Sequence, residues 1–310
     1  MQSERVVSKI TNTLVYEWEA WDGFLISHLI ADYCHMPASY QDDTPEFDRY
    51  LTPNIKAVLL QINLSEQGLY PRKRQKIIDY LKSRNIVVLN EHIVDITKSN
   101  LHSLLNSVGL PHLGAPSDVS DDTPLFVKSN FNWGGEVEER LPKELHAEFI
   151  GTQARAITRF DEYYVTTKRE LGDDAWKDSS IVIERYITNH ENSFYRVYGL
   201  GDSLVVVKAH SEHRIKKISG DHRDTNFLLS KQQLLTQETL LPNALQNLLC
   251  VFTKNISIDY FCLDIVHDFE SFYVVDLNTT PYSGEQSQAS DASEFLCRGL
   301  KNLFSNKEIA

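Results

Sequence analysis

The sequence predicts an α/β protein that also contains α+β parts, and three observations lead to this fold class. Near the N-terminus, apolar runs at 57–63 and 86–89 enclose a helical pattern at 71–84, which is the order of a parallel strand–helix–strand unit. After Pro124 the chain changes to short apolar runs that are typical of strands. Further along, two pairs of such runs are separated by short turns, which predicts antiparallel hairpins.

Each remaining element follows from its local pattern. A helix over 98–108 has its apolar residues on one face and ends at Gly109. Gly201-Asp202 separates two antiparallel strands, and Pro242 interrupts a long helix over 231–255. The other predictions are strands at 125–127, 163–165, 180–183, 194–200, 204–208, 261–266 and 272–277, and a helix at 292–304.

Composition and charge exclude several classes of protein. The 310 residues are 42% hydrophobic and 24% charged, which is ordinary for a globular chain with two or three domains. The net charge of −12 argues against general binding to nucleic acids or to anionic membranes. No apolar run approaches the ~20 residues of a membrane span, and the N-terminus lacks a signal peptide's apolar core, so we expect a cytoplasmic protein. Four scattered cysteines predict neither a disulfide nor a structural zinc site.

Three oxygen-bearing side chains interrupt the apolar pattern of the last predicted hairpin. Asp264 lies in the middle of one strand, and Asp276 and Asn278 lie at the end of the next. Oxygen ligands gathered in this way suit Mg²⁺, which takes one or two carboxylates and leaves room for substrate phosphates. A half-exposed sheet with both aspartates in solvent explains the pattern equally well, so spacing alone leaves the choice open.

A lysine at the end of a predicted strand precedes a loop with two glycines. An ammonium at Lys128, followed by the bare backbone N–H groups of Gly134 and Gly135, can contact phosphate oxygens. The run has neither the P-loop pattern nor G-x-G-x-x-G, and a plain turn is the other interpretation.

A third segment combines an apolar strand with two carboxylates. The strand that ends at Glu184 can offer backbone groups beyond it to an adenine edge, and Glu191 can accept hydrogen bonds from ribose hydroxyls. Taken singly, Glu184 is equally compatible with a surface position on a strand.

In this order and spacing, the three segments resemble the ATP-grasp superfamily, especially the group with glutathione synthetase, D-alanine:D-alanine ligase and the ribosomal-protein glutamate ligases. The resemblance covers about residues 86–290 and depends on five stretches, 95–111, 126–128, 184–191, 194–199 and 264–281. It implies the ATP-grasp fold, with an N-terminal α/β domain at 1–90 that helps to bind substrate. A central subdomain at 91–187 and a C-terminal subdomain at 188–310 would clamp ATP between them.

The resemblance implies roles for residues around the phosphates of ATP. Lys128 would hold the α- and β-phosphates, and the loop with Gly134 and Gly135 would cover them. Lys168 is the approximate match to the second phosphate-binding lysine of the family.

It also implies an adenosine site. Glu184 would open the adenine hinge, in which backbone atoms of Tyr186 and Ile187 bind the base. Glu191 would bind the ribose hydroxyls.

The metal and phosphoryl-transfer roles are implied in the same way. Asp264, Asp276 and Asn278 would bind one or two Mg²⁺ ions, and Arg196 would stabilise the transferring phosphoryl group. The family usually has Glu where Asp276 stands, so one contact to a metal ion must be reached with a shorter side chain.

A basic stretch at 208–226 stands out in this acidic chain. By resemblance, this region, with Lys208, approaches the γ-phosphate and the acceptor carboxylate. Arg214, Arg223 and Asn226 resemble the residues that clamp an acyl-phosphate intermediate. A solvated basic loop without a ligand is the alternative. The pair His210 and His213 lacks further ligands nearby and does not predict zinc.

The resemblance therefore implies an ATP-dependent carboxylate–amine ligase that forms an amide through an acyl-phosphate and releases ADP and phosphate. Its partners would be a small carboxylate and an amine, of the amino acid or peptide class. A kinase that phosphorylates a small-molecule hydroxyl is the rival enzyme, and a nucleotide-binding module without turnover is the rival outside enzymes. If the chain oligomerises, a homodimer is expected, because two-fold dimers are the commonest oligomers.

Overall fold

Three β-sheets organise the protein, as seen in a computed structural model. It describes residues 12–17, 24–29, 35–37, 47–69, 74–149, 157–213, 222–236, 238–268, 270–282 and 291–307. The strands are β1 (Thr13–Glu17), β2 (His35–Pro37), β3 (Ala57–Gln61), β4 (Val87–Leu89), β5 (Pro124–Ser129), β6 (Tyr164–Thr167), β7 (Ile181–Arg185), β8 (Ser193–Leu200), β9 (Ser203–His210), β10 (His222–Ser230), β11 (Tyr260–His267) and β12 (Phe272–Asn278). The helices are α1 (Leu25–Leu29), α2 (Arg74–Ser83), α3 (Lys98–Ser107), α4 (Glu136–Glu139), α5 (Lys143–Phe149), α6 (Lys168–Leu171), α7 (Lys231–Leu235), α8 (Asn243–Asn255) and α9 (Asp291–Lys307).

The N-terminal sheet is parallel, in the order β2-β1-β3-β4. All five residues of β1 and of β3 are buried, because both faces of the sheet are covered. Leu14 and Tyr16 pack towards α2, whereas Val15 packs towards α1 and α9. The unit β3–α2–β4 confirms the predicted parallel strand–helix–strand order; β1 and β2 were not predicted.

The second sheet is small and antiparallel, in the order β6-β5-β7. Its strands agree with the predicted apolar runs to within two residues. Leu125 and Val127 of β5 pack with Ile157, Ile181 and Ile183 in a separate core beneath it.

The third sheet is antiparallel, in the order β10-β9-β8-β11-β12, and contains both predicted hairpins. Helices α3 and α8 pack on one face and α9 on the other. The single helix predicted over 231–255 is wrong. Ser230 caps α7 and Pro242 stands at the N-cap of α8, so the proline begins a second helix instead of interrupting one. Strand β10 covers part of the basic stretch and was not predicted.

Polar contacts between loops connect the parallel sheet to the five-stranded sheet. Thr280, after β12, donates its hydroxyl to Asn63 after β3, at 2.8 Å. The side-chain amide of Gln67 also donates a hydrogen bond to the Thr279 hydroxyl. These contacts place the end of β12 against the carboxyl end of the parallel sheet. In the described parts of the chain, no helix is long and apolar enough to cross a membrane.

Candidate functional site

A cavity of 690 Å³ lies between the three-stranded and the five-stranded sheet. Five of the lining residues have charged side chains that are each less than a tenth exposed. They are Lys98, Lys128, Glu184, Asp264 and Asp276. Burial of an ion is costly unless it is paired, so a cluster of five indicates a function beyond packing.

Lys128 connects the two walls of this cavity. Its ammonium lies 2.9 Å from Glu184 Oε1 on the same sheet and donates to the Val275 carbonyl of the other sheet, at 2.8 Å. Burial alone raises the pKa of Glu184, but the Lys128 charge and the hydrogen bond from His102 outweigh it and hold the pKa below its ordinary value. The predicted phosphate lysine and the predicted hinge carboxylate are therefore a buried ion pair on the cavity wall.

The segment after β7 forms the apolar end of the cavity. The Tyr186 N–H donates to the Pro124 carbonyl at 2.9 Å, so only the carbonyl of Tyr186 is free to contact a base. In the described part of the chain, the Ile187 N–H has no hydrogen-bond acceptor. The cavity lining includes six apolar or aromatic side chains, which are Leu113, Phe126, Tyr163, Ile187, Phe194 and Val266. A flat heterocycle that accepts one hydrogen bond fits this end.

Lys98 is a functional candidate that sequence reasoning missed. It is the first residue of α3, and its ammonium donates to the Phe131 carbonyl at 2.6 Å and lies 3.8 Å from Asp276 Oδ1. A signal was present, because a lysine in the first turn of a helix opposes the helix dipole and needs another reason to be there.

Asp264 and Asp276 are direct partners in the β11–β12 pairing, and both are buried. Arg196 on β8 is the partner of Asp264 on its other side, with Nε 2.8 Å from Oδ1. The Asp264 charge raises the pKa of Arg196 well above its ordinary value, so this guanidinium is permanently charged. The interpretation that both aspartates lie in solvent on a half-exposed sheet is therefore wrong.

The donor set fits magnesium, with Asn278 as its weakest member. Two adjacent carboxylates facing a cavity match the one or two that Mg²⁺ takes beside substrate phosphates. The Asn278 side-chain oxygen already accepts a hydrogen bond from the backbone N–H of Thr280 at 2.8 Å. Within the ranges that the structure describes, no three His, Cys, Asp or Glu residues form a metal cluster.

The glycine loop has an unusual backbone, and neither Gly134 nor Gly135 is part of the cavity lining. Trp133, Gly134 and Gly135 follow one another at φ values of 50°, 69° and 87°. A Cβ at Gly134 would lie 2.5 Å from the Thr158 carbonyl oxygen. The Asn132 N–H donates to the Ser65 hydroxyl at 2.8 Å, which anchors the loop to the N-terminal sheet. Asn132 and Trp133 line the cavity, and sequence reasoning did not single out Trp133.

Glu191 and Lys208 lie beside the cavity, not in its lining. They form an ion pair at 3.5 Å, and Lys208 lies 5.9 Å over the Tyr195 ring. Partial burial raises the pKa of Glu191, but the charges of Lys208 and His267 have the larger effect together, so the pKa lies below its ordinary value. Lys208 thus lies next to the predicted ribose carboxylate.

Three other predicted residues are not brought to the site by the described contacts. The Lys168 ammonium donates to the Val119 carbonyl at 3.0 Å, away from the lining. Arg214 lies outside the described residues. Arg223 is a β10 position opposite Ala209, and the structure describes only its backbone.

Comparison with known proteins identifies the fold. No protein-family model and no curated protein sequence matches the chain. A D-alanine–D-alanine ligase from Bacillus anthracis is 13% identical with a TM-score of 0.50, over 97% of this chain and 100% of that one. The ATP-grasp ligase PsnB complexed with a minimal precursor is 13% identical with a TM-score of 0.53, over 95% and 99%. The fold of this protein is therefore the ATP-grasp fold.

Proposed function

We propose that the protein is an ATP-dependent ligase that joins a carboxylate to an amine. One observation carries the proposal. One cavity is lined by apolar and aromatic side chains, by the segment of Ile187, and by two buried lysines and two buried aspartates. This is the order in which a nucleotide presents its base, its phosphates and its bound metal.

The positions of the charged residues favour one orientation of ATP in this proposal. The base would lie at Ile187, between the aromatic walls, with the ribose towards Glu191. The phosphates would then extend towards Lys98 and Lys128, whose ammonium groups match phosphate oxygens. Because both lysines already have carbonyl partners, they are held in place before the nucleotide arrives.

Asp264 and Asp276, with Asn278 at the end of the strand, are the residues that would hold magnesium. When bound, Mg²⁺ supplies positive charge that neutralises the phosphate oxygens during transfer. Arg196 fixes the orientation of Asp264 and adds a permanent positive charge at this edge of the sheet.

The proposed reaction has two steps. A carboxylate oxygen of the substrate attacks the γ-phosphorus, and the bond from that phosphorus to the β–γ bridging oxygen breaks, so that ADP leaves. The amine nitrogen then attacks the acyl carbon of the acyl-phosphate and loses a proton, and inorganic phosphate leaves. The fixed positive charges of Lys98, Lys128 and Arg196 suit the anions formed in the first step.

The substrates belong to the amino acid or peptide class in this proposal. Two ligases of the same fold support it, since one joins D-alanine to D-alanine and the other is complexed with a precursor. The buried carboxylates and lysines also argue against a module without turnover, because such a module has no need to retain buried metal ligands.

The test is magnesium-dependent ADP formation with pooled amino acids, small peptides and carboxylates, followed by mass spectrometry of the products. We expect ADP together with a product whose mass is that of two pool members minus water. Asp276→Asn removes a buried carboxylate and should abolish ADP formation. Asp174→Asn is its matched control, because Asp174 is an exposed aspartate paired with Lys177.

Two outcomes would contradict the proposal that the protein is a ligase. A product that carries an added phosphate would favour the kinase. Equal ADP formation by wild type and Asp276→Asn would show that the cavity takes no part in the reaction.

A further inference from the structure

Glu184 uses only one of its two oxygens for contacts within the protein. His102 Nε2 lies 2.8 Å and the Lys128 ammonium 2.9 Å from the same atom, Oε1. No hydrogen bond from the described residues reaches Oε2. Since Glu184 lines the cavity, Oε2 is the oxygen available to a ligand. It can only accept a hydrogen bond while the carboxyl is ionised.

His102 is held in place by its own surroundings. It lies on α3 with its ring stacked on His112, at 5.6 Å between centroids and 27° between planes. Gly114 leaves the space that these rings occupy, because a Cβ there would lie 2.9 Å from His102 Nδ1 and 3.1 Å from His112 Nδ1. The Arg185 guanidinium donates to the His112 carbonyl at 3.2 Å, which ties this pair to the strand of Glu184.

We propose that His102 is a positioning residue that makes the site specific for adenine over guanine nucleotides. This proposal rests on the proposed function as a nucleotide-dependent ligase. By taking Oε1 together with Lys128, His102 fixes the rotation of the Glu184 carboxylate, so that Oε2 meets the edge of the base as a hydrogen-bond acceptor. Without His102, the carboxylate is held only by Lys128 and is free to rotate.

The chemistry of the two bases explains the discrimination. Adenine presents an exocyclic amino group, which donates, next to a ring nitrogen that accepts. These groups match Glu184 Oε2 and the Ile187 N–H. Guanine presents a carbonyl oxygen and a ring N–H at the same edge, so acceptor would face acceptor and donor would face donor. Unpaired buried polar groups of this kind give strong discrimination.

The test is calorimetric titration of the full chain with Mg-ADP and with Mg-GDP. Wild type should prefer ADP, and His102→Leu should lower the ADP-over-GDP affinity ratio by about tenfold. His102→Gln, whose amide nitrogen can donate to Oε1, should restore the ratio to within about threefold. Gly114→Ala displaces the rings without removing them and should lower the ratio in the same direction. His92→Leu is the matched control, because His92 pairs with Glu91 on the surface.

Each outcome decides the assignment. An unchanged ratio in both His102→Leu and Gly114→Ala would overturn it, even if both nucleotides bound more weakly, because a merely structural role lowers both affinities together. Equal binding of ADP and GDP by wild type would also overturn it while leaving the ligase proposal standing. Absence of any nucleotide binding by wild type would overturn both proposals.

Discussion

Glu184 carries a charge in a buried position because two donors lie within hydrogen-bond distance of one of its oxygens. Its pKa in the folded protein lies below the ordinary value, although burial alone would raise it. Glu184→Gln removes this charge and leaves the Lys128 ammonium buried without a counter-ion. We expect the free energy of unfolding at pH 7 to fall by about 3 kcal/mol, as measured by urea denaturation.

The loss of stability caused by Glu184→Gln should depend on pH. A carboxyl whose pKa is lower in the folded state stabilises the protein above its unfolded pKa of about 4.3, and this stabilisation disappears as the pH falls through the folded pKa. The difference between wild type and Glu184→Gln should therefore shrink between pH 5 and pH 3. Glu136→Gln, which removes an exposed i,i+4 pair with Arg140, should cost less than about 0.5 kcal/mol. A difference that stays constant with pH would contradict this assignment.

Individual site residues were predictable where they interrupt a strand pattern. Asp264 and Asp276 break apolar runs, and Lys128 ends one. Lys98 was missed because it begins a helix, and its partners Phe131 and Asp276 are distant in the chain. Burial of its ammonium is a property of the tertiary structure alone.

Among the elements, the glycine loop depends most on backbone conformation. Gly134 has a left-handed φ of 69°, and any Cβ there meets the Thr158 carbonyl. Gly134→Ala should cost about 2 kcal/mol or more and reduce ADP formation, because the loop must move away from Thr158. Gly109→Ala is the matched control, since Gly109 has a φ of 72° and open space around its Cα. It should cost about 1 kcal/mol and leave ADP formation unchanged. Equal effects of the two substitutions on ADP formation would contradict a role for this loop.

Most helices and strands were predictable from local periodicity, and the exceptions have physical causes. β1 is a short, fully buried run without alternation, so its pattern does not distinguish it from other apolar runs. β10 contains the polar run His222–Asn226 and is a strand because it pairs along β9. The sequence pattern predicts that Pro242 interrupts a helix, whereas its fixed φ of −53° starts α8.

At the scale of the whole molecule, Asn90 joins the parallel sheet to the five-stranded sheet. Its side chain makes three hydrogen bonds of 2.8–3.0 Å with the backbone of Asp259 and Tyr260. Its backbone has a left-handed φ of 59°. Asn90→Ala should lower the free energy of unfolding by about 3 kcal/mol, because these backbone groups lose their partners. Asn85→Ala is the matched control, since Asn85 is exposed with a φ of 60°, and it should cost about 1 kcal/mol. Equal losses in urea denaturation would contradict the role of Asn90 as a joint.

The arrangement of the three sheets was predictable only through the resemblance to a known family. Each sheet uses strands from one of the three predicted segments, but packing crosses their boundaries. Helix α3 belongs to the predicted central segment, yet Leu101 and Leu105 pack in the core of the five-stranded sheet. This packing places Lys98 at the cavity, since Lys98 begins the same helix.

We propose that the cavity between the two sheets binds Mg-ATP through Lys98 and Lys128. Calorimetric titration with Mg-ADP tests it most directly, with Lys98→Met compared against Lys82→Met, a substitution of an exposed lysine paired with Glu91. We expect one site per chain in wild type, an affinity at least about tenfold lower in Lys98→Met, and no change in Lys82→Met. No binding by wild type, or equal affinity in a folded Lys98→Met protein, would contradict it.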